Sequence, residues 1–117
     1  MKGETLSGFA FSIPIIRGKE ELDRRTFAEM LGARREEYEA ALKQAGITRQ
    51  AIWHQETPDG TVAVVYVEGD DPEAAIAQFG SSDEPLNTWF REHMKEVHGV
   101  DISQVELRAT NVHDISL

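Results

Sequence analysis

The chain has 117 residues, 40% hydrophobic and 28% charged, with no cysteine and a formal net charge of −9. Those values fit one globular domain spanning 1–117 and exclude disulfides, thiolate nucleophiles and cysteine-ligated zinc. They also disfavour a nucleic-acid partner, because the basic pairs Arg24-Arg25 and Arg34-Arg35 are each followed within a few residues by acids.

Residues 1–8 read as a frayed leader without the apolar stretch of a signal peptide, and no apolar run reaches membrane-spanning length. Neither export nor membrane insertion is expected, and a cytoplasmic location agrees with the lack of cysteine. Residues 9–16 form a compact apolar run, a strand with two partly covered faces, where Pro14 predicts an unpaired edge or a bulge. Residues 19–45 carry the longest helical pattern: Phe27, Met30, Leu31, Tyr38, Ala41, Leu42 and Ala45 share a stripe. Gly32 predicts a kink there, and Gly46 a stop. Arg34 falls inside the stripe.

Residues 48–57 and 61–68 are two strands joined at Pro58-Asp59-Gly60, the second rich in β-branched residues and therefore central. Alternation puts Trp53 on one sheet face and His54 on the other, which assigns His54 to a subunit interface. Asp70-Asp71-Pro72-Glu73 opens a short helix that Gly80-Ser81-Ser82 breaks. Residues 84–98 form the next helix, with Leu86, Trp89, Phe90, Met94 and Val97 on one side and His93 in the middle of that arc. Residues 103–109 alternate Val105, Leu107 and Ala109 with polar partners as a last strand, and 110–117 form an arm outside a core of about 8–109.

The order β-α-β-β-α-β is that of an α+β, ferredoxin-like antiparallel sheet with helices on one face. Both faces of the strands are apolar, so a partner is expected on the uncovered one, most simply a second copy packed sheet against sheet.

Three stretches carry a resemblance: Ile-Pro-Ile-Ile-Arg-Gly-Lys-Glu at 13–20, Thr-Arg-Gln-Ala-Ile-Trp-His-Gln at 48–55, and Ser-Asp-Glu-Pro at 82–85 running through Trp-Phe-Arg-Glu-His at 89–93 to Val-His-Gly at 97–99. With the order of elements, they resemble small bacterial proteins of unassigned function in the dimeric α+β-barrel superfamily. That superfamily includes cofactor-independent monooxygenases of antibiotic biosynthesis, cyclases, small isomerases and decarboxylases, and haem-binding or haem-degrading proteins. The resemblance implies a dimeric barrel and does not choose a reaction.

His93 has three readings: a core histidine bonded to a carbonyl or carboxylate, a pocket acid or base, or a haem or metal ligand. Arg34 either passes the stripe with its head in water or turns inward to hold a carboxylate or enolate oxygen. The expectation is a homodimer that binds a small aromatic or carbonyl compound, with His93 and Arg34 as the catalytic pair and Trp53, Tyr66 and Trp89 as the walls. No cofactor and no metal are expected: His93 and His98 lie on different helix faces, and no phosphate loop or serine-hydrolase motif is present. The alternatives are a ligand-binding or structural dimer module that performs no chemistry, or a haem protein. His98, at a helix C-terminus, is expected to be favoured in its charged form.

Overall fold

The computed structural model describes residues 7–101, 104 and 106–117. Its elements run β1 (Ser7–Pro14), α1 (Glu20–Leu31), α2 (Arg35–Gln44), β2 (Ile47–Thr57), β3 (Gly60–Gly69), α3 (Pro72–Ser81) and α4 (Pro85–His98). The chain is α+β: four helices and a three-stranded antiparallel sheet in the order β1-β3-β2. The β-branched strand is central, as its composition requires. Pro14 ends the β1–β3 ladder opposite Val62. Its missing N–H sits on an edge strand, where no ladder bond is lost.

The expected single helix over 19–45 is two helices. Gly32 donates its N–H to Glu29 O at 3.1 Å, Arg34 donates to the same carbonyl at 3.0 Å, and the chain restarts at Arg35. Leu31, placed in the apolar stripe, is 60% exposed because α1 ends there. At the sheet's far end Gly46 has φ +77°, and a Cβ on Gly69 would lie 2.3 Å from Gly46 O. The α2–β2 turn therefore closes on β3 at a place that tolerates no side chain. Asp71 caps α3 by accepting from Ala74 N at 3.1 Å, with Pro72 in the first turn. Arg91 of α4 donates to the carbonyl oxygens of Phe79 (2.8 Å) and Ser82, fastening α3 to α4. Gly99, at φ 72°, closes α4.

The last strand expected at 103–109 is not formed in its described part; residues 103 and 105 lie outside the described residues. Gln104 N turns back to Asp101 O at 2.8 Å, and 106–109 are irregular. Residues 106–110 line an open groove of about 500 Å³ with Phe9 and α3. Of its described apolar side chains, Leu107 is half-buried and Ala109 is exposed. Leader residues 1–6 also lie outside the described residues.

The helices cover one sheet face. Phe9, Ile13, Ala63, Val65 and Val67 are buried beneath them with Met94, Val97 and Ala75. On the other face Ala10, Ser12 and Pro14 are exposed, Val62, Val64 and Tyr66 half-buried, and Trp53 is 55% exposed. Among the described residues no helix is long and apolar enough to cross a membrane.

Candidate functional site

The site begins with an acid where helical spacing calls for an apolar residue. Asp23, Thr26 and Met30 are the buried residues of α1, and Asp23 is 1% exposed. Their spacing of three and four points them at the sheet and α4. On α4 the same periodicity buries Leu86, His93, Met94 and Val97. On β2, alternation turns His54 to the helix side, with Gln50 and Ile52. The three elements converge on one carboxylate. His93 Nε2 lies 2.7 Å from Asp23 Oδ1, and His54 Nε2 lies 2.7 Å from Asp23 Oδ2.

Burial pushes the Asp23 carboxyl up, but the hydrogen bonds from His93 and His54, together with the nearby imidazole charge, outweigh it, and its pKa falls below the ordinary value of 3.8. An ionised carboxylate only accepts, so both histidines donate from Nε2, and the free lone pair of each neutral ring is on Nδ1. If either ring takes a second proton, Asp23 supplies the counter-charge in a buried setting. His54 Nδ1 is buried and has no hydrogen-bond partner among the described residues. His93 is packed between Phe27, edge-on at 6.1 Å, and Phe90, stacked at 5.9 Å. Aromatic walls fix the ring plane and keep water from the His93–Asp23 hydrogen bond.

Asp23 also lines a cavity of about 50 Å³ between the sheet and the helices. Most of its wall is apolar, from Phe11, Ile13, Phe27, Ile52, Leu86 and Phe90. Its other polar groups are few: Tyr38, which hydrogen-bonds Gln50, together with Asn87 and His98. Burial raises the Tyr38 pKa to about 12, so its hydroxyl stays protonated. Asn87 Oδ1 is buried without a partner among the described residues. His98 donates from Nδ1 to Pro14 O at 2.8 Å. Burial lowers its pKa below 6.5, against the Pro14 hydrogen bond and the Asp23 charge. Its charged form is therefore disfavoured, the reverse of the expectation from its helix-end position. Burial of the ring is what disfavours the charge here.

The structure separates the five residues expected to form one site. His93 is buried beside Asp23, with its Nε2 already engaged. Arg34 lies over the Trp89 ring at 4.3 Å, with Nε 4.0 Å from Glu37. Neither Arg34 nor Trp89 lines the cavity. Trp53 and Tyr66 lie on the uncovered sheet face, paired with Val64 and Ala51 respectively. Tyr66 donates its hydroxyl to Glu68 Oε2 at 2.7 Å. His54, assigned to an interface, is on the helix face and belongs to the Asp23 cluster. That assignment is corrected: alternation separated it from Trp53 properly, but helices cover the face His54 is on.

Asp23 is the residue that sequence reasoning missed. Reading back from Met30 and Phe27 at helical spacing reaches position 23, so the signal was present. Its place in the acidic first turn beside Glu20 and Glu21 supplied an ordinary explanation. Among the described residues no group of three or more His, Cys, Asp or Glu side chains is arranged to hold a metal ion.

Residues 9–114 match a family of unknown function, DUF6176, and the chain belongs to that family. No curated protein and no solved structure matches it.

Proposed function

We propose that this member of DUF6176 is a small-molecule-binding homodimer of ferredoxin-like subunits that moves a proton on a small carbonyl compound without a cofactor. The observation that carries the reading is Asp23, a carboxylate buried to 1% exposure, accepting from two histidines at 2.7 Å and forming part of an apolar cavity wall. A buried charge held by two titratable rings is costly to build, and acid–base sites are where such arrangements concentrate.

The strand order β1-β3-β2, with β3 antiparallel between its neighbours, supports a split β-α-β unit. Residues 103–109 would complete it beside β1. The uncovered sheet face, with the exposed Trp53 on its edge strand β2, is the face a second copy would cover, giving the dimeric barrel. A cysteine-free chain of this kind suits the reducing cytoplasm.

Cavity size decides between the two ligand classes. An apolar cavity of roughly 150 Å³ is what takes up benzene, and this one is about 50 Å³. A small carbonyl compound is the better fit; an aromatic ring would require the helical wall to move. Arg34, Trp53, Tyr66 and Trp89 have no part in this reading of the site.

The test is hydrogen–deuterium exchange at carbon. Small neutral ketones, aldehydes and β-dicarbonyl compounds are incubated in D2O with the wild type and with Asp23→Asn, and exchange is followed by proton NMR. The wild type should exchange at least one compound about 100-fold faster than the variant. A compound that binds without exchanging would make the protein a binding module. Neither binding nor exchange across the panel would overturn the reading.

A further inference from the structure

Building on that reading, we propose that His98, and not His93, is the base that touches the substrate, and that the substrate is a neutral carbonyl compound able to enolise inside the cavity. His98 ends α4 and lines the cavity together with Asp23. Its Nδ1 is 2.8 Å from the Pro14 carbonyl. A carbonyl can only accept, so Nδ1 carries the hydrogen and the lone pair of the neutral ring is on Nε2. Among the described residues Nε2 has no hydrogen-bond partner. This is how a working imidazole is prepared: one nitrogen fixes tautomer and plane through a backbone carbonyl, and the other is free.

The other two rings are prepared the opposite way. His93 and His54 each direct Nε2 at Asp23, and the remaining nitrogen of His54 is buried. They form the electrostatic surroundings of His98. The charged or titratable groups that act on it are Asp23 from α1, His93 from α4 and His54 from β2. Burial keeps His98 neutral around pH 7, so its lone pair is available there. Asp23, already ionised, compensates the charge the ring acquires when it takes a proton.

The cavity wall limits what the base can act on. It contains no Lys for a Schiff base and no Ser, Thr or Cys to accept an acyl group, and burial keeps the Tyr38 hydroxyl protonated. It contains no Arg or Lys to hold a carboxylate or phosphate. Asn87 Oδ1, buried and without a partner among the described residues, stands eleven residues before His98 on α4, about 16 Å along the helix axis, and is too far away to touch the atoms His98 acts on. In the step, the C–H bond next to the carbonyl breaks and its proton goes to His98 Nε2. The C–H electron pair becomes the carbon–carbon double bond, and the carbonyl π pair moves onto oxygen. The imidazolium then returns its proton to that oxygen. No oxidant, reductant or metal enters the balance.

Two measurements test this, one of which needs no substrate. The first is the tautomer of each ring in the ligand-free protein, read by 15N NMR. It should show Nδ1–H for His98 and Nε2–H for His54 and His93. His98 carrying its hydrogen on Nε2 would overturn the assignment even if no exchanging compound were found. The second measurement is carbon exchange in His98→Gln, which should be about 100-fold slower than the wild type. Exchange lost in Asp23→Asn but kept in His98→Gln would overturn this inference and leave the proposed function standing.

Discussion

Asp23 and His93 are 70 positions apart in the chain and 2.7 Å apart in the fold. Their contact joins α1 to α4, and His54 ties the same carboxylate to β2. Removing the acid leaves two ring N–H groups facing a hole that solvent does not reach. Asp23→Ala should therefore lower stability by about 3–5 kcal/mol, the usual effect of breaking a buried pair from one side. Asp23→Asn keeps the volume and one acceptor oxygen, and should lose less. Urea unfolding checks both: the midpoint should drop with little change in slope. A loss below about 1 kcal/mol for Asp23→Ala would show that the clasp does not hold these elements together.

Stability should fall with acid in two stages. The folded pKa of His98 is depressed below 6.5, so the unfolded chain binds the extra proton first. Stability is then full above about pH 6.5 and declines as pH drops through the folded value. Asp23 is depressed below 3.8, so its contribution is present above about pH 4 and disappears as the carboxyl protonates in the fold. Glu20 and Glu39, both lowered, add to the lower stage from exposed positions. Urea midpoints measured from pH 8 to pH 3 should show both stages, and His98→Gln should remove the upper one. An unchanged upper stage in that variant would assign it to a different histidine.

Periodicity made the elements legible because each strand and helix declares its buried face locally. It placed the two-helix break after α3, the central β3, and His54 opposite Trp53. It could not show which sheet face the helices cover, since both faces of β1 and β3 are apolar; that depends on crossover handedness and packing between elements. The site was legible only in part for the same reason. His93 stood out as a polar ring in an apolar arc, whereas Asp23 was disguised by the favourable dipole of a helix's first turn. That His93 meets Asp23, and not Arg34, depends on how α1, α2 and α4 rotate against one another. The break at Gly32, which moves Arg34 onto Trp89, settled that rotation.

The uncovered sheet face makes its own prediction. Trp53 is 55% exposed on β2 and pairs with Val64 of the central strand. An aromatic this open, beside half-buried valines, is the kind of anchor that dominates an interface. Under the proposed dimer, Trp53→Glu should shift the protein from dimer to monomer, as read by light scattering coupled to size exclusion at micromolar concentration. The burial of His93 lies on the other face and should be unaffected. Equal masses for wild type and variant would rule out this face as the dimer contact.

Arg34 and Trp89 provide the last test, because their contact contains opposing terms. The guanidinium lies 4.3 Å from the Trp89 centroid, a cation–π geometry worth about 0.5–2 kcal/mol. Its Nη1, however, is buried with no hydrogen-bond partner among the described residues, which costs about 1–3 kcal/mol. The two roughly cancel. Arg34→Met keeps the aliphatic stem over the ring and removes both terms, so its stability should be within about 0.5 kcal/mol of the wild type. Arg34→Ala also loses the stem's packing and should fall by about 1 kcal/mol. If Arg34→Met instead loses more than about 2 kcal/mol, Nη1 has an acceptor in solution, supplied under the proposed dimer by a second copy of the chain, or else by a ligand. Repeating the comparison at dilutions that separate the subunits would tell those two sources apart, since only a subunit contact would weaken with dilution.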